Sequence, residues 1–224
     1  KCDATRSRYR LFMAFGLVFA LVAALVALAL GRFHLTLAQT AATLISPWLD
    51  ESSVTPAMQS VIFNVRLPRV LLALAAGAGL AAAGAAFQSL FSNPLATPDT
   101  LGVATGSAFG AVLGLLLGLE AFSVQIASLA MGLAAVALVY AVSSVRGRAT
   151  VLMLILSGLV IAAFFSALIA LVKYAADPQD VLPAITFWLM GSMTGATMKA
   201  LTIGLPFIVI GCLVIHLLRW KLNA

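Results

Sequence analysis

Two arginines, Arg66 and Arg69, flank a leucine and a proline immediately before an apolar run built mostly of Ala, Gly and Leu. Pro68 suits the first turn of a helix there, because its missing N–H would have no partner in that position anyway. Both guanidinium groups would then lie at the positive end of a helix dipole, which disfavours a cation by roughly 0.3–1 kcal/mol. The nearest acids before them are Asp50 and Glu51. Two interpretations stay open: an acidic partner that arrives from outside the membrane, or arginines that snorkel to lipid phosphates.

Other chemically active patterns are missing from the sequence. Its only histidines are His34 and His216, and it contains neither H-E-x-x-H nor the G-x-x-x-x-G-K-[ST] sequence that would bind ATP. The stretch GSMTG at 191–195 is not a nucleophile elbow. We therefore expect neither an enzyme nor a resident metal or cofactor. Any uphill movement of a solute would need energy from another polypeptide.

Composition identifies lipid as the main solvent. Hydrophobic residues make up 63% of the 224 residues, charged residues make up 9%, and the mean hydropathy is +1.13. So few charges cannot cover the surface of a soluble domain. The formal net charge of +6 is small for nucleic-acid binding and fits a membrane protein with a basic cytoplasmic edge. We expect contact with membrane lipid and no nucleic acid.

The predicted fold class is all-α, a polytopic transmembrane helical bundle. A span needs about twenty apolar residues, and six runs have about this length: Leu11–Leu30, Val70–Leu90, Leu101–Leu119, Val124–Val142, Val151–Val172 and Leu201–Leu218. No ionisable side chain falls in the middle third of these runs, which argues against a proton-coupled carrier. Basic clusters precede the first run, separate the fourth from the fifth, and follow the sixth. The positive-inside rule makes that side cytoplasmic, so both ends of the fragment are expected inside.

Two segments are predicted to lie at the outer membrane surface. Between residues 33 and 65, one apolar pattern at helical spacing ends at Trp48 and another runs from Met58 to Val65, which predicts short interfacial helices. The aromatic stretch FWLMG at 187–191 is either a re-entrant piece or an ordinary aromatic belt.

Glycine recurs every fourth residue along the third predicted span, at Gly102, Gly106, Gly110, Gly114 and Gly118. On a helix this spacing forms one continuous row, which lets a neighbouring backbone approach closely. Packing between helices is the favoured explanation, and sliding surfaces in a moving transporter are the alternative. The second span, rich in Ala and Gly, is expected to be a central helix surrounded by others.

Several motifs follow one another along nearly the whole chain: RLPR at 66–69, GAAFQSLF at 84–91, NPLATP at 93–98, LG at 101–102 followed by Gly106, KYAADP at 173–178 and FWLMGS at 187–192. In this order they resemble the FecCD family, the permease subunits of binding-protein-dependent ABC importers for iron–siderophore, haem and vitamin B12. The resemblance implies a ten-span subunit that works as a dimer, here expected to be a homodimer. It also implies two cytoplasmic ATPase subunits, a periplasmic or lipid-anchored substrate-binding protein, and a bacterial or archaeal cytoplasmic (inner) membrane.

The resemblance also assigns roles to residues. In the family the two arginines of R-x-P-R meet carboxylates of the binding protein, which carries over to Arg66 and Arg69 and favours an acidic external partner. The turn after the second span forms part of the cytoplasmic gate, here Asn93, Pro94 and Leu95.

Two later elements complete the implied pathway. The loop between the fourth and fifth spans supplies the other gate element, for which Ser143 and Ser144 are the nearest match. The fifth span lines the pathway, which makes these the candidate lining residues: Ser157, Phe164, Phe165 and Ser166.

The implied function is that of a permease subunit in an ATP-driven (type II) importer for an iron complex, siderophore or haem. Residues 1–224 would be the N-terminal part of a single permease domain. The coupling helix and last four spans are absent after Ala224, so the fragment is not expected to transport by itself. The alternatives are a secondary carrier or channel that needs no ATPase, an intramembrane enzyme, and cobalamin or molybdate as the substrate.

Overall fold

The computed structural model describes residues 2–48, 54–94, 97–144, 150–191, 193 and 195–222, with side chains from residue 7 to residue 220 of these ranges. Within them, five helices are long and apolar enough to cross a membrane: Ser7–Ala29, Pro56–Phe91, Ala121–Ser144, Val151–Ala175 and Met198–Leu217. The regular structure of the described residues is helical throughout. The all-α polytopic fold is therefore confirmed.

The helices are, in chain order, α1 Cys2–Ala29, α2 Leu37–Ile45, α3 Pro56–Gln59, α4 Leu67–Phe91, α5 Val103–Leu116, α6 Ala121–Ser144, α7 Val151–Ala175, α8 Val181–Leu189, α9 Met198–Leu217 and α10 Arg219–Leu222. A π-helical segment, Ser60–Arg66, joins α3 to α4, and a 3₁₀ helix, Pro98–Leu101, precedes α5. The chain divides into two units. One comprises Lys1–Leu74 with Ala196–Leu201, and the other Ala75–Gly195 with Thr202–Ala224.

The third predicted span, Leu101–Leu119, is wrong in its extent. Helix α5 has 14 residues, or about 21 Å at 1.5 Å per residue, whereas a hydrocarbon core is about 30 Å thick. The N–H of Gly118 donates to the carbonyl of Leu115 at 3.1 Å, and the N–H of Leu119 donates to that of Gly114 at 2.9 Å. These two bonds form a Schellman motif, which ends the helix. A hydropathy profile does not detect a Schellman motif, so it did not predict this helix end.

The two predicted interfacial helices have different outcomes. The first forms as α2, which begins with a capping box between Thr36 and Gln39. The second is wrong as a separate helix, because its residues belong to the continuous helix Pro56–Phe91 of 36 residues. That helix is about 54 Å long, which is longer than a hydrocarbon core of about 30 Å.

The second unit contains two buried apolar clusters. Helices α5, α6 and α7 pack around one apolar cluster: Leu101, Ala135, Val139, Ile161 and Phe165. A second cluster of Val112, Ala176 and Ile185 joins α5 to the chain around α8.

The second span was expected to be a central helix, and within the described residues it is not. The most apolar window of Pro56–Phe91 is not buried, and Leu71, Leu74 and Leu80 are exposed. Among the described residues, close approach occurs at Gly79, where a Cβ would lie 3.0 Å from a side-chain carbon of Ile208 in α9, and Phe87 and Phe91 pack against the apolar cluster of the second unit.

Candidate functional site

Pro68 does not begin a helix, contrary to the expectation from the sequence. The helix begins at Pro56, and Thr55 supplies its N-cap. In a regular α-helix an interior proline removes one hydrogen bond, and its ring meets the carbonyl four residues back. The π-helical segment Ser60–Arg66 widens the backbone directly before the proline, which accommodates it. The two arginines are therefore not at a helix N-terminus, and the prediction that a helix dipole disfavours their charges is wrong.

Arg66 is the last residue of the π-helical segment and is buried, with 8% of its surface exposed. Its Nη1 donates to the carbonyl oxygens of Leu28 at 2.6 Å and Ala29 at 2.8 Å, and its Nη2 donates to that of Phe33. All three carbonyls lie at or just beyond the carboxyl end of α1. The side chain thus contacts the end of α1 within its own unit, and its docking role stays a prediction.

Arg69 differs from Arg66 in its environment. It lies in the first turn of α4 and is half-buried. The two arginines of the motif are therefore not equivalent.

The first predicted gate element follows the end of α4. Ser92 adopts a positive φ of 47°, and the N–H of Asn93 donates to the carbonyl of Gln88 at 3.1 Å, which closes the helix. The side-chain Nε2 of Gln88 also donates to the carbonyl of Pro94 at 3.1 Å. Gln88 thus stabilises the turn with both its backbone carbonyl and its side-chain amide. The sequence did not predict this role. Leu95 lies outside the described residues.

The second predicted gate element is at the end of α6. The hydroxyls of Ser143 and Ser144 both donate to the carbonyl of Tyr140, at 2.9 and 2.7 Å. Ser143 is buried and Ser144 is half-buried. Both bonds go to one carbonyl near the carboxyl end of α6, which holds the two hydroxyls against their own helix.

An apolar cavity of about 330 Å³ lies between the ends of α4 and α6 and the start of α7. Its walls include Leu90 and Phe91 of α4, Val139 and Tyr140 of α6, and Val151 and Leu154 of α7. Leu90 and Phe91 directly precede the first gate turn. The carbonyl of Tyr140 accepts the hydrogen bonds of the two gate serines. The structure therefore brings both predicted gate elements to the borders of one cavity.

The four candidate lining residues of α7 divide into two pairs. Ser157 and Phe165 are buried, with 8% and 2% exposed, whereas Phe164 is 53% exposed and Ser166 is also exposed. Phe165 stacks against Phe109 with ring centroids 5.7 Å apart. A side chain buried in the core cannot touch a solute, so only Phe164 and Ser166 keep their candidate role.

Three glycines of the predicted row face α6. A Cβ on Gly106 would lie 2.6 Å from the Cβ of Ala135, and a Cβ on Gly114 would lie 3.2 Å from a side-chain methyl of Val124. A Cβ on Gly110 would collide with the carbonyl oxygen of Ala127. At these three positions the row allows close helix packing.

The outer two glycines of the row adopt a left-handed backbone conformation. Gly102 has a φ of 65°, and a Cβ there would lie 3.2 Å from the backbone nitrogen of Ala162 in α7. Gly118, with a φ of 64°, has no atom within 4 Å of its ideal Cβ position and ends α5. A left-handed conformation favours glycine at both positions.

Gly158 of α7 is a packing residue that sequence reasoning missed. A Cβ there would collide with the carbonyl oxygen of Thr100 and lie 2.9 Å from the Cα of Leu101. Helix α7 thus passes directly against the backbone of the 3₁₀ helix. The adjacent small pair Ser157-Gly158 was the signal available, but it belongs to no repeating pattern.

Known proteins resemble this chain along most of its length. The model of the FecCD transport family matches residues 18–224. The molybdate import system permease protein of Haemophilus influenzae is 39% identical over 213 residues, which cover 93% of this chain and 62% of that protein. The hemin transport system permease protein of Yersinia pestis is 30% identical over 224 residues, which cover 97% of this chain and 64% of that protein.

A solved structure has the same fold. It is described as an inward-facing conformation of a metal-chelate type ABC transporter, with a TM-score of 0.75 and 37% identity. The match covers 94% of this chain and 63% of that chain. The present chain therefore spans less than two thirds of the length of these relatives.

Proposed function

Because the chain belongs to the FecCD transport family, we propose that it is part of the transmembrane permease subunit of an ATP-driven importer for a metal-bearing solute. The observation that carries this proposal is the family match over residues 18–224. Residues 1–224 are then the N-terminal part of one ten-span permease domain. The coupling helix and the last four spans follow. The subunit is a transport component of the membrane and hydrolyses no ATP itself.

The proposed assembly contains two permease subunits, two cytoplasmic ATPase subunits and a substrate-binding protein on the outer side of the inner membrane. A homodimer of permeases forms the pathway along its axis, and both ends of the present fragment face the cytoplasm. Transport proceeds by alternating access, in which closure of the ATPases rearranges the permease around a central cavity. Two relatives are named as permeases of an import or transport system, and the similar solved structure is described as an ABC transporter. These descriptions support an ATPase as a partner.

We propose that the binding protein docks at the start of α4 through carboxylates that meet Arg69. The side chain is half-buried and lies three residues after the π-helical segment, inside the continuous helix Pro56–Phe91. The sequence-based proposal paired Arg66 with it, but Arg66 is buried against the end of α1.

The proposed cytoplasmic gate consists of the turn Asn93, Pro94 and Leu95 and the helix end at Ser143 and Ser144. The apolar cavity between the ends of α4, α6 and α7 supports this proposal. A cavity leaves room for helix ends to move, whereas a close-packed interior resists movement. Phe164 and Ser166 are the proposed lining residues. An apolar surface with scattered hydroxyls lets a bulky chelate slide, since the binding protein supplies the recognition.

The proposed solute is an iron complex, a siderophore or haem. A second candidate is molybdate, which is favoured by the 39% identity to a molybdate permease, against 30% to a hemin permease.

The test is transport by the full-length permease in proteoliposomes with its ATPase and its binding protein. Radiolabelled ferric siderophore, haem and molybdate are offered separately, with ATP inside the vesicles. We expect ATP-dependent accumulation of one of them. Vesicles with an ATPase that cannot hydrolyse ATP serve as the control. Accumulation of the solute by the permease alone, without ATP, would contradict the proposal and support a secondary carrier.

Docking is tested separately by the charge reversal Arg69→Glu. We expect the affinity for the binding protein to fall by at least about tenfold, because a like charge replaces a favourable one at the contact, while the ATPase stays attached. Arg8→Glu, at the other end of α1, is the matched control. The measurement is surface plasmon resonance with the permease in nanodiscs. Equal affinities of the Arg69→Glu and unsubstituted proteins would place docking elsewhere.

A further inference from the structure

The carboxyl end of α1 lacks partners of its own. The last four carbonyls of an α-helix have no intrahelical hydrogen-bond donor, and unsatisfied carbonyls are costly where lipid excludes water. Helix α1 ends at Ala29. Leu28 and Ala29 belong to its last turn, and both of their carbonyls accept hydrogen bonds from Arg66. A third bond goes to the carbonyl of Phe33, beyond the helix end. One guanidinium group thus satisfies three backbone oxygens.

The charge of Arg66 fits this position. The carboxyl end of a helix carries a partial negative charge, which favours a cation. Hydrogen bonds from an ionised donor are stronger than those between neutral groups. A planar guanidinium with several fixed donors can reach several oxygens at once, whereas an ammonium group acts as a point charge. Burial of Arg66 to 8% exposure is therefore compensated by backbone dipoles.

Gly31 provides the space for this contact. A Cβ at this position would lie 2.7 Å from Nη2 of Arg66 and 3.1 Å from its Cζ. Gly31 has no left-handed φ, so the backbone itself accepts alanine. The reason for glycine at this position is the guanidinium group that lies against it.

We infer that Arg66 is a positioning residue, an intramolecular cap that fixes the end of α1 to the π-helical segment before α4. In this role its hydrogen bonds hold the end of the first span against the segment before α4. The inference does not depend on the proposed transport activity, since every contact lies within one unit of this chain.

The test is amide hydrogen exchange of the full-length protein in nanodiscs, without the ATPase or binding protein. We expect Arg66→Ala to speed exchange of the amides at residues 30–36 by at least about tenfold, since bonds to a charged group are lost. Gly31→Ala should do the same, because the methyl group displaces the guanidinium. The double variant should lie within about twofold of either single variant, because both remove one contact. Arg66→Lys should give an intermediate rate.

A control makes the result specific. Gly16→Ala adds a methyl group to the same helix where nothing lies within 4 Å, and it should leave exchange at 30–36 unchanged. The inference is overturned if Arg66→Ala leaves this exchange unaltered. It is also overturned if Gly31→Ala leaves the exchange rate at residues 30–36 unchanged. A double variant whose rate increase equals the product of the two single increases would overturn it as well.

Discussion

Phe165→Ala is expected to lower the free energy of unfolding by about 3 kcal/mol. The side chain is 2% exposed and belongs to the cluster shared by α5, α6 and α7. Phe→Ala in the core of a soluble protein costs about 3–5 kcal/mol. The low end applies here, because the association of helices in lipid gains little from transfer out of water and depends on packing. Unfolding of the full-length protein by SDS in mixed micelles measures the change.

Phe164→Ala is the matched control for this prediction. Phe164 precedes Phe165 on the same helix, and the two rings are 5.8 Å apart, but Phe164 is 53% exposed. We expect its replacement to leave the unfolding free energy within about 0.5 kcal/mol of the original and to change the uptake rate instead. Equal destabilisation by the two substitutions would contradict the assignment of one to the core and the other to the pathway.

Gly110→Ala is expected to have a similarly large effect by the opposite mechanism. The added Cβ would collide with the carbonyl oxygen of Ala127 and lie 2.8 Å from the Cβ of Met131. Overpacking a core costs about 1–3 kcal/mol. The upper end applies, since the nearest obstructing atom is backbone and a rotamer change cannot move it. Thermal unfolding in detergent micelles, followed by circular dichroism, measures the loss of stability.

Gly84→Ala separates packing from the general effect of replacing a helical glycine. Gly84 lies in α4 with nothing within 4 Å of its ideal Cβ position. Alanine is a better helix former than glycine by about 1 kcal/mol, so this variant is expected to be neutral or more stable. If Gly84→Ala destabilised the protein as much as Gly110→Ala, the close contact of α5 with α6 would not explain the result.

Most of the fold could be predicted from the sequence because lipid imposes a simple rule. A segment that crosses the membrane must be long, apolar and helical. Runs such as Val124–Val142 and Val151–Val172 therefore predicted α6 and α7 closely. The rule is weaker where a helix is short. The run Leu101–Leu119 contains no charged residue, yet the 3₁₀ helix before α5 and Gly118 after it limit the helix to 14 residues.

The candidate site was predicted less well, because the role of a side chain depends on its direction. Pro68 is typical of a helix start, and the sequence could not show that a π-helical segment accommodates it inside a longer helix. The motifs indicated the gate regions, and they did not indicate Gln88, whose side chain holds the turn at Pro94. The adjacent residues Phe164 and Phe165 were equivalent as candidates, but a helix directs neighbouring side chains to different faces.

The sequence by itself determined the class of protein, the solvent in which it folds, its family resemblance and the positions of most spans. These properties depend on composition and on local patterns that are read along the chain. Tertiary structure alone decided which glycines touch another backbone, which phenylalanine is buried and where Arg66 points. Those features depend on pairs of residues far apart in sequence, such as Arg66 with Ala29 and Gly110 with Ala127. No local pattern encodes such pairs, because their distances are fixed only when the helices pack.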